Sequence, residues 1–329
     1  RMYITGASGS TCHGEAFTVD YDLPNRDAYA ETCASIALAF FAKRMPKLNI
    51  DSKYADAVEK VMYNGILSGV SMDGKGFFYE NPLEIDPDFN DVNICTDGGK
   101  RFPITQRKEV FDCSCCPPNV IRFIASIGDY MYSYTDDTLF VHQYIASQTE
   151  NEGMKITQIT DYPTTNEIKF IVENSPKKYI ALRIPGWCKK FEINKPYTLK
   201  NGYAFIETAV NDEITLSLDM PVTFVSANKR VHSASGRVAV MRGPVVYCLE
   251  GVDNGKDLKS VRVDIKGKTE ISNKEFLVPN IIAKGYKEPE NDSLYFDATE
   301  EYIETDLKFI PYYAYANRGE TEMLVWVLK

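Results

Sequence analysis

Apolar residues in the first third of the chain recur every three to four positions, and in the remainder they recur every second one. Across residues 34–44, Ile36, Leu38, Phe40 and Phe41 stand among alanines, which predicts a helix with Thr32 as its cap. Asp51 opens a second helix, with Tyr54, Val58, Val61, Met62 and Leu67 at helical spacing. Pro117-Pro118 starts a third, since prolines are tolerated in a first turn. Its apolar face is expected to carry Val120, Ile121, Ile124, Ile127 and Met131. Between the helices, the Gly/Pro/Asn-rich stretch 81–111 is a loop of the length that compact domains keep for function.

After about Tyr132 the period shortens to two. Residues 139–141, 168–172, 179–184 and 214–218 are predicted strands, separated by turn residues at intervals typical of a sandwich. Asn201-Gly202, between Leu199 and Tyr203, marks a hairpin turn. A second β set begins near Gly236 with strands at 238–241 and 245–249, and the last strand, 323–328, is apolar enough to be buried on both faces. The chain is therefore expected to be an α + β multidomain protein. A helical segment spans 1–131, a β-sandwich spans 132–235 and takes back the strand at 322–329, and a second sandwich spans 236–321.

The 329 residues are 44% hydrophobic, enough for packed cores in two or three domains. A formal net charge of −9 gives no general attraction for nucleic acid or an anionic membrane, so neither is expected as a partner. No apolar run approaches the roughly 20 residues that span a bilayer. The opening Arg1-Met2-Tyr3-Ile4-Thr5-Gly6 lacks the shape of a signal peptide and reads like the interior of a domain. The location is accordingly left between cytoplasm and periplasm, and a homodimer stays open.

Eight cysteines are present, three of them crowded into Cys113-Ser114-Cys115-Cys116. Adjacent cysteines rarely close a disulfide on each other, and such crowding suits metal ligation better. Zinc takes thiolates and carboxylates, nearly always four in a tetrahedron. Glu31-x-Cys33 at a helix start and Cys115-Cys116 before the Pro-Pro helix supply four such groups, with Cys113 as an alternative ligand or a bystander. Residues two apart point to opposite sides of a helix, so Glu31 must lie outside it, at the cap, to share a metal with Cys33. Cys12, Cys95, Cys188 and Cys248 are scattered and are expected to be free thiols without a metal.

Several short stretches resemble glycoside hydrolase family 127, the β-L-arabinofuranosidases. They are His13-Gly14-Glu15-Ala16-Phe17, Tyr21-Asp22-Leu23-Pro24-Asn25, Tyr29-Ala30-Glu31-Thr32-Cys33-Ala34, Phe77-Phe78-Tyr79-Glu80-Asn81-Pro82 and Cys115-Cys116-Pro117-Pro118-Asn119, all in order along the first third. The resemblance implies that residues 1–131 are the C-terminal half of an (α/α)6 barrel and that the β regions are two accessory sandwiches. It implies a zinc ion as cofactor on Glu31, Cys33, Cys115 and Cys116, with Cys115 as nucleophile and Glu15 as acid/base. Glu59, Tyr79 and His13 are implied to contact the sugar, and the partner is an arabinose-containing glycan. It further implies that the barrel's first helices precede this chain, so that the chain alone is expected to show weak or no activity.

The implied chemistry is coherent. Retaining glycosidases pair a nucleophile with an acid/base, usually two carboxyl groups roughly 5 Å apart. Here a metal-held thiolate takes the nucleophile's place. A different reading is a carbohydrate-binding protein with a structural zinc site, in which Tyr312, Tyr313 and Tyr315 are exposed aromatics that hold glycan without cleaving it. His142 and His232, in the β regions, are expected to have no part in catalysis.

Overall fold

The computed structural model describes residues 1–89, 105–111, 113–272, 275–291, 293–297 and 301–329. Cys95 and the middle of the 81–111 loop lie outside the described residues. The chain falls into two compact units that do not follow chain order. One comprises Arg1–Ser35, Asn64–Pro117 and Val222–Lys329, and the other Ile36–Tyr63 and Pro118–Pro221. Among the described residues, no helix is long and apolar enough to cross a membrane.

The first unit is built on a ten-stranded, mainly antiparallel sheet. At its centre Val245–Glu250 is buried along its whole length, as its unbroken apolar run requires. It pairs with Arg237–Arg242 on one side and Ile303–Pro311 on the other. Asn64 clamps this strand from the side: its amide donates to the Pro244 carbonyl at 2.9 Å and its carbonyl accepts from the Val246 amide at 2.8 Å.

The last strand is buried on both faces as expected, but its partners differ from the expected ones. Met323–Leu324 pairs with Val245–Glu250 and with Glu84–Ile85, and Trp326–Leu328 pairs with Arg237–Arg242 and Val261–Val263. The strand thus completes the C-terminal sheet rather than returning to the sheets of 132–235. Val222–Val225 joins it there, paired to Arg237–Arg242. Apolar runs say that a strand is central, but they do not say in which sheet.

The second unit holds two five-stranded sheets. One is formed by Tyr132–Tyr134, Thr138–Val141, Tyr179–Arg183, Tyr203–Glu207 and Thr198–Lys200, the other by Ser147–Asn151, Met154–Thr160, Glu167–Asn174, Asp212–Leu218 and Phe191–Ile193. In Glu167–Asn174, Ile168, Phe170 and Val172 are fully buried while their neighbours are not, which is the two-residue period seen in the sequence. The Asn201-Gly202 turn has φ of 50° and 76°, the left-handed pair that a tight hairpin needs, and it joins Thr198–Lys200 to Tyr203–Glu207.

Three helices matter for the site. α1 is Thr32–Arg44, α2 is Ser52–Lys60 and α3 is Cys116–Ala125. Asp51 caps α2, accepting from the Lys53 amide at 3.0 Å. In α1, Ile36, Ala39 and Ala42 form the buried stripe. The face of α3 departs from the expected one: Val120 and Phe123 are buried, whereas Ile121 and Ile124 are 68% and 58% exposed. An apolar residue in a helix pattern marks a face only when something packs on it, and here nothing among the described residues covers these two.

Candidate active site

Two helix starts and one extended segment build the site. The Ser35 amide donates to the Glu31 carbonyl at 3.0 Å, so Glu31, not Thr32, is the capping residue of α1. Standing outside the helix, Glu31 can turn its side chain to the same centre as Cys33. Thr32 instead braces the neighbouring segment. Its amide donates to the Tyr79 carbonyl at 3.0 Å, and its hydroxyl donates to the Phe78 carbonyl and accepts from Asn81 Nδ2, both at 2.9 Å. Cys115 immediately precedes α3 and Cys116 is its first residue. Both residue pairs therefore sit at helix N-termini, where unpaired amides and the helix dipole favour negative charge.

The four side chains converge. Cys33 Sγ lies 3.5 Å from Cys115 Sγ and 3.7 Å from Cys116 Sγ, and the latter two are 3.9 Å apart. Glu31 Oε1 is 3.6 Å from Cys115 Sγ, and all four donor atoms lie within 4.8 Å of one another. These separations exclude disulfides among the three cysteines. A tetrahedral zinc ion, with Zn–S near 2.3 Å and Zn–O near 2.1 Å, requires S···S edges of about 3.8 Å and S···O edges of about 3.6 Å. The observed edges match both, so the donor set fits such an ion. Cys113 is exposed and outside the cluster.

The electrostatics point the same way. Burial pushes the Glu31 carboxyl up to about 7, with the nearby Cys33 and Glu15 adding to it. Burial also pushes the Cys115 thiol up to about 12. The hydrogen bond to Cys33, followed by burial, raises Cys116 well above the usual thiol range. Three thiols and a carboxyl this close resist joint ionisation, and a dication is the counter-charge that would permit it.

Glu15 approaches this cluster from a tight turn, His13–Glu15. Gly14 and Glu15 are both left-handed, with φ of 66° and 50°, and so is Ala30, beside Glu31, with φ of 39°. At a non-glycine residue this conformation costs roughly 1–3 kcal/mol and persists only where surrounding contacts impose it. Here the contacts are two phenols. Tyr29 donates to Glu15 Oε1 at 2.7 Å, and the Tyr79 hydroxyl reaches the same oxygen at 3.3 Å. Tyr79 is also hydrogen-bonded to Cys115. One hydroxyl thus stands between the carboxylate and the sulfur, placing them within two hydrogen-bond lengths, at most about 7 Å. Glu15 itself is exposed, within reach of solvent or a bound molecule. His13, also exposed, shares its turn.

Glu59 does not behave as the resemblance implies. It is 1% exposed, and both carboxylate oxygens are taken. Oε1 accepts from Arg183 Nη2 at 2.5 Å and from the Tyr162 hydroxyl at 2.6 Å, while Oε2 accepts from Trp187 Nε1 at 3.0 Å and Arg183 Nη1 at 3.3 Å. A carboxylate committed in this way braces the second unit and has no lone pair to offer a sugar. Tyr312, Tyr313 and Tyr315, expected as exposed aromatics, are buried. Tyr312 and Tyr315 stack at 4.9 Å, and Tyr315 stacks on Phe78 at 5.1 Å.

Sequence reasoning missed two supports. Tyr29 was visible beside Glu31, but an aromatic there reads as core. Arg107 follows a polar loop and reads as solvated, yet its guanidinium lies 4.5 Å from the Phe78 ring and 5.3 Å from that of Tyr315. It donates to the carbonyls of Ser68 at 2.8 Å and Tyr315 at 2.6 Å. That wedge fixes Phe78 and hence its neighbour Tyr79.

Comparison with known proteins identifies the chain's relatives. Residues 1–129 match the family model for the β-L-arabinofuranosidase GH127 catalytic domain, 138–222 the GH127 middle domain, and 222–328 the family 127 C-terminal domain. The chain is 38% identical to a non-reducing end β-L-arabinofuranosidase of Bifidobacterium longum subsp. longum, over 99% of its own length and 53% of that protein's. Among solved structures it resembles a GH127 β-L-arabinofuranosidase from Geobacillus stearothermophilus T6, with a TM-score of 0.91 and 43% identity, covering 100% of this chain and 54% of that one. It also resembles a second GH127 β-arabinofuranosidase, with a TM-score of 0.85 and 32% identity over 100% of this chain and 54% of the other. The chain thus spans about half the length of these relatives. With three consecutive domain matches and mixed α/β architecture like that of the solved members, it belongs to glycoside hydrolase family 127.

Proposed function

We propose that this chain carries the thiolate and acid/base groups of a retaining glycosidase that releases terminal β-L-arabinofuranose from an arabinose-containing glycan. The observation that carries the reading is Glu15, held by Tyr29 and tied through Tyr79 to Cys115, at the edge of a cluster with zinc-site dimensions. A site serving structure alone has no use for an exposed, strained carboxylate beside one of its ligands. On this reading α1–α3 belong to an (α/α)6 barrel and the sheets to two accessory sandwiches.

Glu31, Cys33, Cys115 and Cys116 would hold the zinc ion. When bound, the ion keeps the sulfurs deprotonated at neutral pH, and four anionic ligands leave them electron-rich. The Cys115 sulfur attacks the anomeric carbon of the arabinofuranoside, and the bond to the leaving oxygen breaks as Glu15 gives that oxygen its proton. Water then replaces the sulfur, with Glu15 taking the water's proton. Two inversions at one carbon leave the configuration retained. Tyr79 lies between the two groups and orients Glu15, and His13 lines the same turn.

The test is hydrolysis of an aryl β-L-arabinofuranoside, with proton NMR of the sugar anomer first released. The proposal expects the β anomer first, and loss of turnover in Cys115→Ser. An α anomer first, or a Cys115→Ser variant as active as the unaltered protein, would contradict it.

A further inference from the structure

The second unit contains a cavity of about 1440 Å³ that shares no residue with the zinc-fitting cluster. Ligand pockets typically enclose about 300–1,000 Å³, so this one has room for more than a single sugar ring. Its walls are unusually aromatic: Tyr54 comes from α2, Tyr132, Tyr134, Tyr179 and Phe205 from one five-stranded sheet, and Tyr197 from the turn beside it. Tyr197 is 41% exposed, and the other five are partly exposed.

The polar groups in the walls indicate what the cavity would take. Its charges are nearly balanced, four lysines against three acidic residues, and several of them have partners. Lys43 pairs with Asp129 at 2.7 Å, Lys195 pairs with Asp212 at 2.6 Å, and Asp137 accepts from the hydroxyls of Thr138 at 2.8 Å and Thr135 at 3.1 Å. A charged ligand would find little net counter-charge. A purely apolar one would strand the wall's amides and hydroxyls. Gln143 in the wall is 1% exposed and donates from its Nε2 to the Ala55 carbonyl at 2.9 Å.

We propose that this cavity is a second glycan-binding site, taking an uncharged oligosaccharide whose ring faces stack on the tyrosines and whose hydroxyls bond the wall amides. Phenol rings suit that task because each combines an apolar face with a polar tip. The site sits on the part of the chain that holds none of the metal-fitting residues, so it would hold substrate by a stretch distinct from the bond to be cut. It rests on the cavity's own chemistry and survives if the hydrolytic reading fails.

The probe is a neutral trisaccharide, arabinotriose or xylotriose, titrated up to about 10 mM, since affinities of single saccharide sites are weak on the scale of binding free energies. Calorimetry and chemical-shift mapping are run on the unaltered chain, on Tyr179→Ala/Tyr197→Ala, on Tyr197→Phe and on Cys115→Ser. The proposal expects the double variant to bind at least about tenfold more weakly, as removal of central aromatic anchors does. Tyr197→Phe keeps the ring and should bind as before, which separates lost stacking from lost folding. Cys115→Ser should keep binding in the cavity. No binding of either trisaccharide, unchanged affinity in the double variant, or shifts confined to the neighbourhood of Glu15 and Cys115 would each overturn it. Hydrolysis undiminished in Cys115→Ser, with cavity binding intact, would count against the catalytic reading alone.

Discussion

Replacing Arg183 by methionine tests the reassignment of Glu59 from sugar contact to structural brace. The Arg183 side chain is fully buried. Its Nε donates to the His142 carbonyl at 2.6 Å, Nη1 to Asp56 at 2.7 Å, and Nη2 to Glu59 at 2.5 Å. Burial alone would lower the pKa of this guanidinium, but Glu59 and Asp56 outweigh it and hold the charge firmly in place. Methionine fills similar volume and leaves Glu59 buried with only Tyr162 and Trp187 as neutral donors. Breaking a buried pair from one side costs about 3–5 kcal/mol, whereas removing both charges together costs much less. Arg183→Met should therefore lose about 3 kcal/mol, and adding Glu59→Gln should recover at least about half of it, a coupling that only contacting residues show. Guanidinium unfolding can be followed on Trp187 alone in a Trp326→Phe background, these being the two tryptophans of the chain. A loss below about 1 kcal/mol for Arg183→Met, or abolished sugar binding in Glu59→Gln with unchanged stability, would refute the structural reading of Glu59.

Two other outcomes follow from the geometry. Tyr29→Phe deletes the 2.7 Å hydrogen bond to Glu15, and with bonds to charged groups contributing about 1.5–3 kcal/mol, kcat should fall at least about tenfold. KM and metal content should stay unchanged, and a drop in bound zinc would show that Tyr29 serves the metal site instead. His142, hydrogen-bonded to Ser133 and Tyr203, is held down to about 4, chiefly by burial and then by Arg183. A base with a depressed folded-state pKa stabilises fully above its unfolded value, and the contribution is lost as pH falls from about 6.5 towards 4. Between pH 7 and pH 5 this amounts to about 2 kcal/mol, and a His142→Gln variant should lack that part of the decline. Parallel pH profiles for the two proteins would contradict the assignment.

Much of the site was legible because metal chemistry constrains residue type and spacing together. Glu31-x-Cys33 needed one residue outside the helix, and the backbone of α1 begins where that requirement puts it. Asn201-Gly202 needed left-handed φ at both positions and has it. The period-two strands of 132–218 were equally readable, because a sheet with one buried face writes its register into the sequence. What was not legible depends on partners distant in sequence. Glu59 was implied to contact the sugar, and only Arg183 and Trp187, more than a hundred residues on, show its carboxylate to be buried and bonded. Ile121 and Ile124 looked like core and are not, while Tyr312 and Tyr315 looked like an exposed platform and are stacked inside. The last strand carried the composition of a central strand, yet nothing in it named its sheet. In each case a local pattern gave the residue's preference, and the tertiary partner decided its role.

The account stands or falls on four ligands around one metal ion. Zinc K-edge absorption of the purified chain, with metal content measured on the same sample, tests that directly. The geometry predicts about one zinc per chain, with three sulfur neighbours near 2.3 Å and one oxygen near 2.0–2.2 Å, and one sulfur fewer in Cys115→Ser. A shell of nitrogen and oxygen alone, or a zinc-free protein whose Cys33, Cys115 and Cys116 titrate as ordinary thiols, would contradict it.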